Sequence, residues 1–200
     1  MSNLAITFAV FISYLIGSLS SAIIVCRLMR LPDPRTQGSR NPGATNVLRI
    51  AGKKAAIITL LGDLLKGFLP VLIAKYLGFD ASTLALIAFA AFMGHLFPIF
   101  FGFEGGKGVA TALGCLLALN WPTALCWIAT WCVIAFLFRY SSLAAIIASV
   151  FSPAYIWLFT GNLIWAAMLA IISIILIARH QGNIVKLVRG EESKIGNKKK

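Results

Sequence analysis

Acidic side chains are scarce in this 200-residue chain, which holds six Asp and Glu against 18 Lys and Arg. No two carboxylates are paired in a way suited to acid–base exchange, which excludes catalysis built on such a pair. There is no GxSxG elbow, so a serine nucleophile of that kind is excluded as well. The four cysteines, Cys26, Cys115, Cys126 and Cys132, lie in apolar surroundings without metal-ligand spacing. They read as small buried hydrophobes, not as a disulfide framework or a zinc site. No metal and no cofactor are expected. The chain also lacks a clear internal repeat, a separate soluble segment, and any low-complexity tract beyond the terminal Lys198, Lys199 and Lys200.

What the chain has in abundance is apolar surface. It is 60% hydrophobic and only 12% charged, with a mean hydropathy of +0.90, more than one soluble core of this size could hide. The expected fold is an all-α integral membrane bundle. Runs of bilayer-spanning length predict helices near 4–26, 55–77, 82–101, 122–138, 142–159 and 163–178, and a thinner run at 108–120, weakened by Gly114, makes a seventh. The first run lacks a basic leader and a small-residue cleavage site, so 4–25 reads as a retained helix. One domain over 1–200 is expected, with a basic cytoplasmic tail from about 186 to 200 whose terminal Lys198, Lys199 and Lys200 touch anionic lipid.

A net charge of +12 would suggest nucleic acid in a soluble chain, but here the basic residues cluster between apolar runs, and no nucleic-acid partner is expected. With seven crossings and an external N-terminus, every Lys and Arg except Lys66 and Lys75 falls on one side. By the positive-inside rule that side, and the C-terminus, are cytoplasmic. Trp121, Trp157 and Trp165 then fall at or near the external ends, where interfacial indoles belong.

Two glycine-rich basic stretches reach the same face. In the first, GSRNPGATNVLR at 38–49, Gly38 and Gly43 expose backbone donors. Ser39, Asn41, Thr45 and Asn46 add hydroxyl and amide groups, and Arg40 and Arg49 add charge. This set suits phosphate oxygens, against the alternative of an ordinary interhelical turn. In the second, GFEGGKGVAT at 102–111, a nucleotide-hydrolysing loop would need Gly where Phe101 stands and a hydroxyl where Gly108 stands. Simple phosphate binding by Gly105, Gly106, Lys107 and Gly108 fits better. Thr111 could reach back from the first turn of the next helix, whose dipole favours an anion.

Asp63 and Lys66 stand i, i+3 in an apolar span, where mutual neutralisation is expected; both a substrate contact and a helix pin remain open. His95 in GHLFP reads as a structural donor. His180, with Arg179 and Asn183 beside it, reads as a ligand contact, and Arg139, Ser141 and Ser142 could add donors from the intervening turn. The topology brings these groups and both loops to one surface, so a composite cytoplasmic-face site is expected. Many acyltransferases carry His and, beyond four intervening residues, Asp; here Phe100 and Val185 occupy those positions. A reaction run here therefore needs a donor that arrives activated, with the protein supplying orientation and charge.

Taken together, GSRNPGATNVLR at 38–49, GDLLKG at 62–67, GHLFPIFFGFEGGKGVAT at 94–111 and RHQGNIVKL at 179–187 resemble the bacterial acyl-phosphate:glycerol-3-phosphate acyltransferases of the PlsY type over nearly the whole chain. The resemblance implies transfer of a fatty acyl group from acyl phosphate to the 1-hydroxyl of sn-glycerol 3-phosphate. The products are lysophosphatidic acid and inorganic phosphate, in the first acylation of phospholipid synthesis. It implies substrate-binding and catalytic roles for Ser39, Arg49, Lys107, Ser142, His180 and Asn183; Asp63, Lys66, His95 and Arg139 are expected to support the site. It also implies a place in the bacterial inner membrane with a cytoplasmic active site, contact with membrane lipids, and an acyl-phosphate-producing enzyme as a partner. The family's first loop usually has Gly where this chain has Arg40. A transporter or channel for phosphate esters is the alternative, although such proteins usually show repeats and a midplane site.

Overall fold

The computed structural model describes residues 2–196, so Lys198, Lys199 and Lys200 lie outside the described residues. Among the described residues all regular structure is helical. The chain divides into two compact units, Met1–Leu119 and Asn120–Lys200.

In the first unit, α1 (Asn3–Gly17) and α2 (Ser21–Leu28) meet at a bend of 44°. The single helix expected over 4–26 is therefore broken. The sequence around Ser18 and Ser20 allows this because the freed backbone finds partners: the Ser18 hydroxyl donates to the Tyr14 carbonyl at 2.9 Å, and Lys66 Nζ donates to the Leu19 carbonyl at 2.7 Å. Next, α3 (Ala44–Tyr76) contains a break at Gly52, whose φ of 84° lies where side chains rarely go. The part before the break is a short amphipathic helix. It buries Val47 with Ala22, Val25 and Cys26 of α2 and with Ala55 and Ala56.

The fourth helix, α4 (Ala81–Leu96), starts on Asp80, whose carboxylate accepts from Thr83 N at 2.9 Å. It ends ahead of Pro98 and passes through a 3₁₀ turn at Ile99–Phe101, shorter than the expected 82–101 because a residue preceding proline disfavours helix. Then α5 (Val109–Leu119) runs 11 residues. At about 1.5 Å per residue it is roughly half as long as a hydrocarbon core is thick.

Small residues let these helices touch. A Cβ at Gly17 would fall on the Ala91 carbonyl and one at Gly94 on that of Tyr14, which seats α1 against α4. In the same way Gly67 meets the Thr111 carbonyl and Gly114 that of Leu64, joining α3 to α5. Ser13 adds a hydrogen bond to the Ile87 carbonyl at 2.7 Å.

In the second unit, α6 (Trp121–Phe138) is capped by Asn120, whose side chain accepts from Thr123 N at 3.0 Å. α7 (Ser141–Thr160) and α8 (Leu163–Arg179) follow, and α9 (Gln181–Val188) turns away from α8 by 60°. The Ser173 hydroxyl donates to the Ser149 carbonyl at 2.6 Å, tying α8 to α7, and Thr130 and Tyr155 share a hydrogen bond of 2.8 Å between α6 and α7. Beyond α9 the chain folds back: Ile195 N donates to the Arg139 carbonyl at 2.7 Å and Arg139 Nη2 to the Ile195 carbonyl at 3.0 Å. The part of the expected tail that is described is thus docked within its own unit.

Length and composition qualify four spans, Ala44–Tyr76, Ala81–Phe101, Trp121–Phe138 and Ser141–Thr160, and six if each bent pair is one span. Phe8, Phe11, Phe136 and Leu158 are exposed along the helices, as side chains that face lipid would be.

Candidate functional site

Within the first unit the two glycine-rich stretches converge. Arg35 donates to both Asp33 oxygens, with Nη2 at 2.8 Å from Oδ2, and reaches the Phe101 carbonyl and Glu104 Oε2 at 3.4 Å each. This ties the approach to the first stretch to the turn that opens the second. Hydrogen bonding from Arg35 holds the Asp33 carboxyl below its usual range and in turn raises the guanidinium. Farther along, the Pro42 carbonyl lies against Gly106.

Only the first half of 38–49 is loop. Helix begins at Ala44 with Gly43 as its N-cap, so Thr45, Asn46 and Arg49 stand on the first turns of α3. Asn46 is buried and occupied: its Oδ1 accepts from Ser39 N at 2.9 Å, and its Nδ2 donates to the carbonyls of Pro34 at 2.9 Å and Gln37 at 3.1 Å. It braces the loop from inside, and Gly38 packs on its Oδ1. Ser39, Arg40, Thr45 and Arg49 are exposed, while Asn41 and Gly43 are half-buried. Arg40 N donates to the Gln37 carbonyl at 3.0 Å, closing a turn. Arg49 makes no ion pair with another described residue.

In the second stretch Gly105, Gly106 and Gly108 are buried and Lys107 is half-buried. Gly108 needs to be glycine: its φ is 84° and a Cβ would strike the Phe92 ring. The stretch then enters α5, so Lys107 stands at the helix's amino end. Thr111 is fully buried, with its carbonyl against Gly67 in the α3–α5 contact.

Beneath this loop lies a cluster that sequence reasoning assembled only in part. Lys66 Nζ is 2.9 Å from Asp63 Oδ1, the neutralising pair expected, and His95 Nδ1 stands 3.6 Å from the same oxygen. The residues come from α3 and α4, so spacing along the chain could not join His95 to Asp63.

In the second unit, Ser142 Oγ and Asn183 Nδ2 both donate to Glu192 Oε1, each at 2.7 Å. His180 is buried at the α8–α9 bend, its Nδ1 2.8 Å from the Leu176 carbonyl. A carbonyl can only accept, so Nδ1 carries the proton and Nε2 is the ring's acceptor in the neutral form. Asn183 belongs to α9 and not to the end of α8. Arg139 takes a left-handed conformation, φ 63°, at the C-cap of α6 and is held by Ile195. Glu192 thus joins Ser142 to Asn183. Its only sequence signal is that it is one of six carboxylates. Among the described residues no group of three or more His, Cys, Asp or Glu is placed to hold a metal.

Comparison with known proteins bears on these units directly. A family model described as glycerol-3-phosphate acyltransferase matches residues 7–190. The chain is 54% identical over 187 residues to the glycerol-3-phosphate acyltransferase of Methylococcus capsulatus, covering 94% of each. It is 55% identical over 204 residues to that of Cupriavidus pinatubonensis, covering both in full. Among solved structures it is similar to PlsY (YgiH), an integral membrane glycerol 3-phosphate acyltransferase. The TM-score is 0.91 at 39% identity for the glycerol 3-phosphate form and 0.89 at 38% for the lysophosphatidic acid form, each covering 96% of both chains.

Proposed function

The chain belongs to the glycerol-3-phosphate acyltransferase family, and from that premise we propose that it moves a fatty acyl group from acyl phosphate to the 1-hydroxyl of sn-glycerol 3-phosphate. It is an all-α integral membrane acyltransferase, and the transporter reading finds no support among its relatives. The solved relative is described in a glycerol 3-phosphate form and a lysophosphatidic acid form, which are the acceptor and product of this reaction.

The observation that carries the reading is the meeting of the two glycine-rich stretches in the first unit, where Pro42 abuts Gly106 and Arg35 ties the approach of one to the turn of the other. Exposed Ser39 and Arg49 on one stretch, and Lys107 at the amino end of α5 on the other, form a donor set for substrate phosphates. Ser142, His180 and Asn183 of the second unit are proposed to serve the same reaction, so that residues 1–200 work as one acyltransferase domain.

Acyl phosphate is a mixed anhydride whose phosphate leaves readily, so alignment and charge neutralisation carry most of the catalysis. The acceptor oxygen attacks the acyl carbon, the bond from that carbon to the phosphate oxygen breaks, and a substrate phosphate takes the hydroxyl proton. His180, its ring fixed by the Nδ1–H bond to the Leu176 carbonyl, is given the role of orienting groups in this scheme. Six spans and a seventh, short crossing by α5, with the N-terminus outside and the site on the cytoplasmic face of the bacterial inner membrane, fit the one-sided basic residues. An acyl-phosphate-producing enzyme is the matching partner. The test is purified protein in lipid, supplied with labelled glycerol 3-phosphate and either acyl phosphate or acyl-CoA. Lysophosphatidic acid from acyl phosphate is expected, and product from acyl-CoA alone would overturn the donor.

A further inference from the structure

Asp63, Lys66 and His95 are buried to 3%, 5% and 6% exposure, and none belongs to the exposed donor set. Three ionisable side chains withdrawn to one point in apolar helices demand a compensating arrangement, because an unpaired charge there is strongly unfavourable. Pairing supplies part of it: Lys66 Nζ meets Asp63 Oδ1 at 2.9 Å and the Leu19 carbonyl at 2.7 Å, and His95 Nδ1 faces Asp63 Oδ1 at 3.6 Å.

The other side of the imidazole is more informative. His95 Nε2 lies against the α-carbon of Gly106, so close that no side chain fits there. The main-chain carbonyl of His95 accepts from Gly106 N at 3.2 Å. Gly105 packs with equal closeness on the carbonyls of His95 and Leu96. One residue thus holds one glycine by both its ring and its backbone, and the next residue is Lys107. A general-base role does not suit this ring, since Lys66 already neutralises Asp63 and Gly106 covers Nε2.

We propose that His95, seated beside the buried Asp63–Lys66 pair, is a positioning residue that sets the glycine loop and so places Lys107 on the substrate phosphate. This rests on the acyl-transfer reading above and adds how the loop is held. The buried ion pair is the anchor, the imidazole is the strut, and Gly106 is glycine because the strut occupies the space of a side chain. Misplacement of a binding group by about 1 Å can cost on the order of 100-fold in rate, so a strut of this kind matters to turnover without touching substrate.

The test is a double-variant cycle on the full chain in lipid vesicles. Rates against glycerol 3-phosphate are measured for wild type, His95→Asn, Lys107→Ala and the double variant, with thermal midpoints alongside. Asparagine puts its amide nitrogen near the place of Nδ1, still beside Asp63, while giving up the Gly106 face. His95→Asn is expected to lower kcat/KM about 10-fold with the thermal midpoint retained, and Lys107→Ala about 100-fold. The double variant is expected to be no worse than Lys107→Ala, because the strut has nothing left to place. Multiplied losses, near 1,000-fold, would show that His95 acts independently of Lys107 and overturn the inference. If His95→Asn does not accumulate, Gly106→Ala attacks the same contact from the loop side and is judged by the same two outcomes. Full activity in Lys107→Ala would remove the phosphate-site reading itself, and this inference with it.

Discussion

Ser142 Oγ donates to Glu192 Oε1 at 2.7 Å, and the same oxygen accepts from Asn183 Nδ2 at 2.7 Å. A single carboxylate thus orients two proposed substrate ligands, one on α7 and one on α9, from a segment that follows both in the chain. Glu192→Ala is expected to lower the acylation rate at least about 10-fold by leaving both donors unheld, in line with the cost of losing charged hydrogen bonds. Glu192→Gln still offers an acceptor oxygen and should stay within about threefold. Wild-type rates in both variants would separate Glu192 from catalysis.

The Asp33–Arg35 pair gives a stability signature with a definite sign. The carboxyl is held below its ordinary value, about 3.9, first of all by the Arg35 hydrogen bond. Its contribution is therefore fully present above that value and lost as pH falls through the lowered one. Both side chains are partly exposed, at 34% and 28%, so the pair contributes about 1 kcal/mol or less. The thermal midpoint of Asp33→Asn should lie slightly below wild type by a constant amount from about pH 5 to 8, and the two should converge below about pH 4. A gap that widens on acidification would contradict this assignment.

Helix contact through glycine makes a third expectation. A Cβ at Gly114 would overlap the Leu64 carbonyl, which is backbone and cannot swing aside. Gly114→Val should force α5 from α3 and destabilise the protein by about 3 kcal/mol, read as a lowered thermal midpoint. Gly182→Ala, where a Cβ meets nothing, should leave the midpoint nearly unchanged.

Much of the helical layout was legible because apolar runs and their polar ends mark it directly. The runs at 122–138 and 142–159 sit within α6 (Trp121–Phe138) and α7 (Ser141–Thr160). Where the reading differed, backbone partners from elsewhere decided the outcome. The break after Gly17 is supported by Lys66 from α3, and hydropathy averaged over a span is blind to such a contact. Arg49 stands on a helix because Val47 has an apolar face of α2 to pack on and Gly52 ends the turn. Asn46 carried the expected chemistry of a phosphate ligand, yet the fold spends its amide on Pro34, Gln37 and Ser39. The pairing of His95 with Asp63, and of Glu192 with Ser142, arises from folding and leaves no spacing to read.

Basic donors on the first unit's two converging stretches are proposed to hold the phosphate of the acceptor, and equilibrium binding of labelled glycerol 3-phosphate to the purified protein tests this most directly. Arg49→Ala and Lys107→Ala should each weaken Kd by about 10- to 100-fold, the loss of one charged hydrogen bond. Lys199→Ala, outside the described residues, should bind as wild type does. Equal affinity in all three variants would contradict a phosphate site built from these loops.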